Sequence, residues 1–204
     1  MFVDDDTEAI DAQRRRFLAA STTVVGAAGI TVASLPFIAS MRPSERALAA
    51  GAPLVVDVTK LESAQQITVE WQRKPVWALR RSPGMLESLE GIEERLRDPQ
   101  SLVTSQQPAY AQNRHRSLRP EYFVAVAICT HLGCVPKFRP DLAPADIGPD
   151  WPGGYFCPCH GSRFDFAGRV YAGVPAPTNL VIPPYRFLSD GQIQLGVHPE
   201  TARG

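Results

Sequence analysis

Two short stretches, residues 129–134 and 157–162, constrain what this chain can fold into, because together they hold every cysteine among its 204 residues. The first reads Cys-Thr-His-Leu-Gly-Cys and the second reads Cys-Pro-Cys-His-Gly-Ser. Each offers one cysteine close to one histidine, and one further cysteine: Cys129, His131 and Cys134 in the first, Cys157, His160 and Cys159 in the second. Two thiolates and two imidazoles that converge from two loops make a four-ligand metal site.

The mixture of ligand types narrows the choice of metal. Structural zinc sites usually have paired C-x2-C and H-x3-H modules with one ligand type on each loop, whereas both stretches here are mixed. Two histidines replace two cysteines on one iron of a Rieske 2Fe-2S centre, and the two stretches resemble the signature of that family. Neutral imidazoles make the cluster less negative, which places its potential at about −150 to +300 mV. We therefore predict a Rieske-type 2Fe-2S cofactor, with a structural zinc site or an all-disulfide framework as the alternatives.

The two further cysteines, Cys134 and Cys159, are predicted to form a disulfide in an oxidising compartment. This pairing is favoured because both residues lie on loops that a shared cluster would already hold together. Two free buried thiols are the alternative. In the Rieske family that these stretches resemble, the corresponding pair forms such a bridge.

The N-terminal region has the composition of a membrane anchor. Residues 1–16 are polar and are predicted to be a cytoplasmic tail, whereas residues 17–41 contain no charged side chain. A helix of about 20 apolar residues spans a bilayer, so we predict a transmembrane anchor at 17–41. Residues 13–18, Gln-Arg-Arg-Arg-Phe-Leu, resemble a twin-arginine export signal, with ordinary flanking positive charge as the alternative.

The region after the anchor allows two further interpretations. The small residues Ala47-Leu48-Ala49 resemble a signal-peptidase site, so cleavage of the whole segment is one alternative. These residues lie well beyond the uncharged run, which is itself longer than a usual signal segment, and a retained anchor is therefore favoured. Residues 42–53 are predicted to be a hinge linker between membrane and domain, with a passive spacer as the alternative.

Residues 54–204 are predicted to form one loop-rich, mainly β domain, since the chain contains 19 prolines and 15 glycines. We predict strands at 53–58, 67–71, 76–79 and 122–128, a helix at 85–97, a surface excursion at 135–155, and a hairpin of 185–188 with 192–197 that turns at Asp190-Gly191. The 21 basic residues are matched by 21 acidic ones and form no long basic run, so nothing indicates a nucleic-acid partner.

Further segments extend the resemblance beyond the two cysteine stretches. Residues 71–77 (Trp-Gln-Arg-Lys-Pro-Val-Trp), 96–100 (Leu-Arg-Asp-Pro-Gln) and 173–177 (Gly-Val-Pro-Ala-Pro), together with a single anchor helix, are similar to the iron-sulfur subunits of ubiquinol-cytochrome c reductase, the cytochrome bc complex. This resemblance covers nearly the whole chain. It implies a mainly β fold, with a Rieske-type β-sandwich base, a small cluster-binding β subdomain at about 127–184, and one N-terminal transmembrane helix.

The same resemblance implies a function for individual residues. It makes Cys129, His131, Cys157 and His160 the metal ligands, pairs Cys134 with Cys159, and gives His160 and His131 the catalytic contact with quinol. Residues implied to surround the cofactor are Ser162, Leu132, Gly133, Phe164, Gly173 and Pro175. Ser162 would donate its hydroxyl to a cluster sulfur, and Leu132 would shield the histidines. Many family members carry a tyrosine where this chain has Phe164, so one hydrogen bond to a ligand sulfur is expected to be missing.

The implied activity is oxidation of ubiquinol, with one electron passed through the cluster to a membrane-bound cytochrome c subunit and protons released outside. The implied partners are a cytochrome b subunit and a cytochrome c subunit in a dimeric complex of the bacterial inner membrane, with the soluble domain on the periplasmic side. The small subunit of arsenite oxidase is the alternative that also carries a Rieske cluster and an export signal. A soluble Rieske ferredoxin would lack the anchor.

Overall fold

The computed structural model of the chain describes residues 5–42, 44 and 51–199. Its first element, helix α1 (Asp5–Ser40), includes most of the expected polar tail and the whole uncharged run up to Ser40. Residues 11–40 of this helix are long and apolar enough to cross a membrane, and their side chains are not buried by the protein. The predicted hinge at 42–53 and the small residues at 47–49 fall mainly or wholly outside the described residues.

Within residues 51–199, nine short strands form three antiparallel sheets of three strands each. The strands are β1 (Leu54–Asp57), β2 (Gln66–Trp71), β3 (Lys74–Arg80), β4 (Tyr122–Val126), β5 (Lys137–Arg139), β6 (Gly154–Phe156), β7 (Arg163–Phe164), β8 (Tyr185–Ser189) and β9 (Gln192–Leu195). The strand orders are β1-β9-β8, β2-β3-β4 and β5-β6-β7. The mainly β fold class predicted from the sequence is therefore confirmed.

The main core takes buried side chains from all three sheets. Every residue of β4 is buried, as expected for a continuous apolar run that is covered on both faces. Trp77 of β3 stacks on Tyr155 of β6, with ring centroids 4.5 Å apart and planes inclined by 10°. This aromatic pair joins the sheet that ends at the first cysteine stretch to the sheet that leads into the second.

The predicted hairpin near the C-terminus is present as β8 and β9, joined through Asp190-Gly191. The predicted helix at 85–97 is wrong. A single helical turn, α2 (Pro83–Glu87), begins after the capping residue Ser82, and the chain then leaves the helix before Gly91, which has φ of +71°. A left-handed residue cannot continue a right-handed helix. Leu86 therefore lies partly buried in α2, Leu89 is buried from the turn that follows, and Leu96 is buried at the end of a short 3₁₀ turn (Glu93–Arg95).

The expected surface excursion at 135–155 is also only partly correct. It contains β5 and contributes two buried side chains, Ile147 and Trp151, to a small second core. The other buried members of that core are Ile92, Leu96 and Tyr171. The segment is therefore held to the domain by apolar packing and does not lie free on its surface.

Buried arginines reinforce the loops around residues 165–169. Arg169 Nε donates to Asp165 Oδ2 at 2.6 Å, and both side chains are almost completely buried. Arg81 donates to the Phe166 carbonyl, and Arg116 donates to the Ala167 carbonyl. These carbonyls belong to a loop and have no partner in a helix or sheet. The buried guanidinium groups satisfy them and so stabilise the loop.

Candidate metal centre

The first ligand loop (residues 129–134) begins shortly after strand β4 ends. The N–H of Cys129 donates to the Cys134 carbonyl at 2.7 Å, and the N–H of Gly133 donates back to the Cys129 carbonyl at 3.1 Å. Gly133 has φ of +84°, a conformation that glycine adopts without steric cost. These two bonds close the loop into a tight turn whose middle residues project outward.

The second ligand loop (residues 157–162) joins β6 to β7 and is closed by the same two backbone hydrogen bonds. The N–H of Cys157 donates to the Ser162 carbonyl at 2.8 Å, and the N–H of Gly161 donates to the Cys157 carbonyl at 2.9 Å. Gly161 has φ of +74°. Both candidate cysteine ligands therefore occupy the first position of equivalent turns.

The two cysteines outside the disulfide, Cys129 and Cys157, are buried. Burial raises the pKa of the Cys129 thiol, the backbone N–H of His131 lowers it, and the adjacent Cys157 thiol raises it further. The Ser162 hydroxyl also lowers that pKa. The sulfur atoms of the two ligand loops thus meet inside the protein.

The two histidines of the ligand loops meet at the outer side of the same region. The ring centroids of His131 and His160 are 4.8 Å apart, with planes at 88°. His131 is half-buried and His160 is exposed. Two buried thiols behind two partly accessible imidazoles are the donor set that a Rieske cluster requires, so the residues present fit that cofactor.

The remaining two cysteines, Cys134 and Cys159, form a disulfide that links the two ligand loops. This confirms the predicted pairing. The sulfur atoms of both lie within 4.8 Å of the Cys157 sulfur, but disulfide sulfurs have no thiolate to give to a metal. We therefore exclude Cys134 and Cys159 from the ligand set, although their sulfurs group with that of Cys157.

A covering loop (residues 173–177) lies against the second ligand loop. The N–H of Ala176 donates to Ser162 Oγ at 3.0 Å, and both residues are fully buried. Gly173 and Pro175 are exposed, and Gly173 has φ of +74°. The covering loop therefore turns Ala176 inward, packs Val174 partly against the core and presents Gly173, Pro175 and Pro177 to solvent.

The other residues predicted to surround the cofactor differ in exposure. The side chain of Leu132 is 71% exposed, whereas Phe164 is fully buried and pairs with Tyr155 across β6 and β7. Leu132 is thus available to contact another molecule, and Phe164 is a core residue at the end of the second ligand loop.

Three residues of the site were not identified from the sequence. Gly161 closes the second ligand loop, Ala176 contacts Ser162, and Thr130 Oγ1 donates to the Thr178 carbonyl at 2.7 Å. A signal for Gly161 was present, because a glycine lies four residues after the first cysteine in both loops. No comparable local pattern marks Ala176 or Thr130, whose partners lie far away in the chain.

Comparisons with known proteins agree with this geometry. Residues 96–186 match the model of the Rieske [2Fe-2S] domain, and residues 5–44 match the model described as "Ubiquitinol-cytochrome C reductase Fe-S subunit TAT signal". The second match includes the twin-arginine-like stretch at residues 13–18.

Individual relatives carry consistent descriptions. The ubiquinol-cytochrome c reductase iron-sulfur subunit of Allochromatium vinosum is 54% identical over 93% of this chain and 91% of its own length. The corresponding subunit of Blastochloris viridis is 39% identical over 93% of this chain and 96% of its own length. Among solved structures, a chain of a hyperthermophilic respiratory Complex III aligns at 25% identity over 86% of this chain and 98% of its own length, with a TM-score of 0.45.

Proposed function

This chain belongs to the family of ubiquinol-cytochrome c reductase iron-sulfur subunits, and we propose that it oxidises ubiquinol through a Rieske 2Fe-2S cluster held by Cys129, Cys157, His131 and His160. The observation that carries this proposal is the pair of meeting imidazoles, one of them exposed, in front of two buried thiols. When bound, the cluster supplies a one-electron acceptor of raised potential.

The exposed position of His160 determines how this chain handles the quinol. A ligand histidine uses one ring nitrogen for the metal and keeps the other for a hydrogen bond or a proton. With that nitrogen deprotonated, His160 would accept a hydrogen bond from a quinol hydroxyl there and would take its proton as one electron passes from the quinol to the cluster. His131, which is half-buried beside it, supplies the second imidazole and the edge-to-face contact that orients His160.

Leu132 supplies an apolar contact for the quinol ring. It lies next to His131, and most of its side chain is exposed, so it is accessible to a molecule that binds at the two histidines. Burial of a leucine side chain contributes about 1.5 to 3 kcal/mol. Ser162, by contrast, is fully buried and acts on the sulfur side of the centre.

A substitution at Leu132 tests this function without changing a ligand. In membranes that contain the complete complex, Leu132→Ala should reduce the rate of quinol-dependent cytochrome c reduction and leave the EPR signal of the cluster intact. The matched control is Leu142→Ala, because Leu142 is 74% exposed but lies outside the ligand loops. Equal activity in the two variants would show that Leu132 does not contact the quinol.

The N-terminal region fits a membrane-anchored subunit. We propose that residues 17–41 form a retained single-span anchor, that residues 1–16 lie on the cytoplasmic side, and that residues 54–204 lie in the periplasm as a Rieske domain whose cluster-binding part is about 127–184. Support comes from the apolar segment of α1 and from the match of residues 5–44 to the export-signal model. The proposed partners are a cytochrome b subunit and a cytochrome c subunit in a dimeric complex.

Residues 42–53 are proposed to be a hinge, because a cluster must reach both a quinol within the membrane subunit and a haem outside it. Replacement of Ala47 and Ala49 by proline should slow turnover while the EPR signal and quinol affinity stay normal. Undiminished turnover would identify the segment as a passive spacer.

A further inference from the structure

Residues 95–98, part of a segment so far without an assigned purpose, pair with the residues that lead into the covering loop. The N–H of Arg97 donates to the Val170 carbonyl at 2.9 Å, and the N–H of Ala172 donates to the Arg95 carbonyl at 2.8 Å. An isolated antiparallel bridge lies between these two bonds. Segment 95–98 therefore holds the chain up to the point where the covering loop begins.

The side chain of Arg97 extends this attachment into the covering loop itself. Its Nη2 donates to the Val174 carbonyl at 2.9 Å, across 77 positions of sequence. Val174 is flanked by Gly173, whose backbone has φ of +74°, and by Pro175, which has no N–H to donate. Arg97 thus holds the outer side of a loop whose own backbone offers few donors.

The inner side of the covering loop controls the direction of a hydroxyl group. Ala176 N–H donates to Ser162 Oγ at 3.0 Å, so one lone pair of that oxygen is occupied. A serine hydroxyl has a single O–H to donate, and the Ser162 hydroxyl lowers the pKa of the Cys129 thiol, so it acts on the sulfur side of the centre. The position of Ala176 therefore restricts the directions in which the Ser162 O–H can point.

We propose that Arg97 is a positioning residue of the metal centre. By holding Val174, it keeps Ala176 in place, and Ala176 fixes the Ser162 hydroxyl on the sulfur side of the centre. Hydrogen bonds to ligand sulfurs help to set the potential of an iron-sulfur cluster, because they stabilise the more negative, reduced state. The inference rests on the proposed function to the extent that Cys129 is a cluster ligand.

The experiment is a redox titration of the EPR signal in membranes that contain the full complex. Arg97→Ala should lower the midpoint potential, because the covering loop loses its outer hydrogen bond while the backbone bond to Val170 remains. Arg97→Lys should keep the midpoint potential close to that of the unmodified protein, since an ammonium group can donate to the same carbonyl. Arg119→Ala is the matched control, because the Arg119 side chain pairs with Asp190 at the turn of the C-terminal hairpin instead, and it should leave the potential unchanged.

Combining Arg97→Ala with a substitution of Ser162 shows whether Arg97 acts through Ser162. Ser162→Ala should lower the potential by itself, and Arg97→Ala added to it should then cause no further shift, as a double-mutant cycle measures. An unchanged potential in Arg97→Ala, or the same shift in both backgrounds, would overturn the inference. Absence of the EPR signal in the unmodified protein would instead refute the proposed function. If Arg97→Ala does not accumulate, Arg97→Gln is titrated with the same expectation.

Discussion

Ser162 occupies in the second ligand loop the position that Cys134 occupies in the first. Each carbonyl accepts the N–H of the first cysteine of its loop, at 2.8 Å for Ser162 and at 2.7 Å for Cys134. The two turns are therefore equivalent in backbone but not in side chains. The disulfide joins the last residue of one turn, Cys134, to a middle residue of the other, Cys159, and Ser162 is left free to face Cys129.

Removal of the disulfide should destabilise the domain and loosen the two ligand loops. Cys134 and Cys159 are separated by 25 positions, and a closed loop of that size corresponds to about 3 to 4 kcal/mol of unfolding free energy. The double variant Cys134→Ser with Cys159→Ser avoids a leftover thiol. Thermal unfolding should show the full loss in cluster-free protein and a smaller loss in loaded protein, since the cluster ligands join the same loops. Identical melting temperatures for variant and unmodified chain would contradict this.

Phe164→Tyr should raise the midpoint potential. Phe164 is fully buried, and a hydroxyl added there would stabilise the reduced cluster if it donates to a ligand sulfur. A difference of about 1 kcal/mol between the two redox states corresponds to roughly 40 mV for one electron. The measurement is a redox titration of the EPR signal. An unchanged or lower potential would mean that the ring edge points away from the ligands.

Asp165→Asn should reduce the unfolding free energy by about 3 to 5 kcal/mol, because it leaves the buried Arg169 guanidinium without its counter-charge. Asparagine keeps the oxygen that accepts from the Ala167 N–H, so the turn at residues 165–167 stays closed. The lost stability then reflects the missing carboxylate charge beside Arg169. The control is Glu90→Gln at the exposed Glu90–Arg114 pair, where the change should stay within about 0.5 kcal/mol. Similar losses in both variants would contradict the account.

The Arg139 cluster should contribute stability that disappears in acid. Arg139 binds Asp146 at 2.7 Å and Asp141 at 2.8 Å, and these hydrogen bonds lower the pKa of both carboxyl groups below the ordinary value of 3.8. A lowered pKa in the folded state means that the contribution is present above that value and is lost as pH falls through the folded-state pKa. The difference in melting temperature between the unmodified chain and Arg139→Gln should therefore be largest at neutral pH and shrink below pH 3.8. A constant difference would argue against a titrating contribution.

The parts of this protein that sequence patterns predicted are those determined by neighbouring residues. Asp190-Gly191 between two apolar runs predicted the C-terminal hairpin, because that dipeptide suits a tight turn. Four cysteines in two short mixed stretches predicted the disulfide, because two of them remained after the candidate ligands were assigned. These features depend on short spacings that the chain displays directly.

The parts that were missed depend on distant residues or on backbone conformation. Leucine spacing favoured a helix through residue 97, but Gly91 takes a left-handed conformation, and residue 97 pairs with Val170 instead of the preceding turn. Tertiary hydrogen bonds thus overrode local helix propensity. The hydrogen bond between Arg97 and Val174 spans 77 positions, and no local sequence pattern in either segment predicts it.

The most direct test of the account is an EPR-monitored redox titration of membranes that contain this chain. The account predicts a Rieske-type signal from a reduced 2Fe-2S cluster, with a midpoint potential within about −150 to +300 mV. Replacement of His131 or His160 by alanine should abolish the signal, whereas Leu142→Ala should leave it unchanged. A colourless, EPR-silent protein that contains zinc would contradict the central claim.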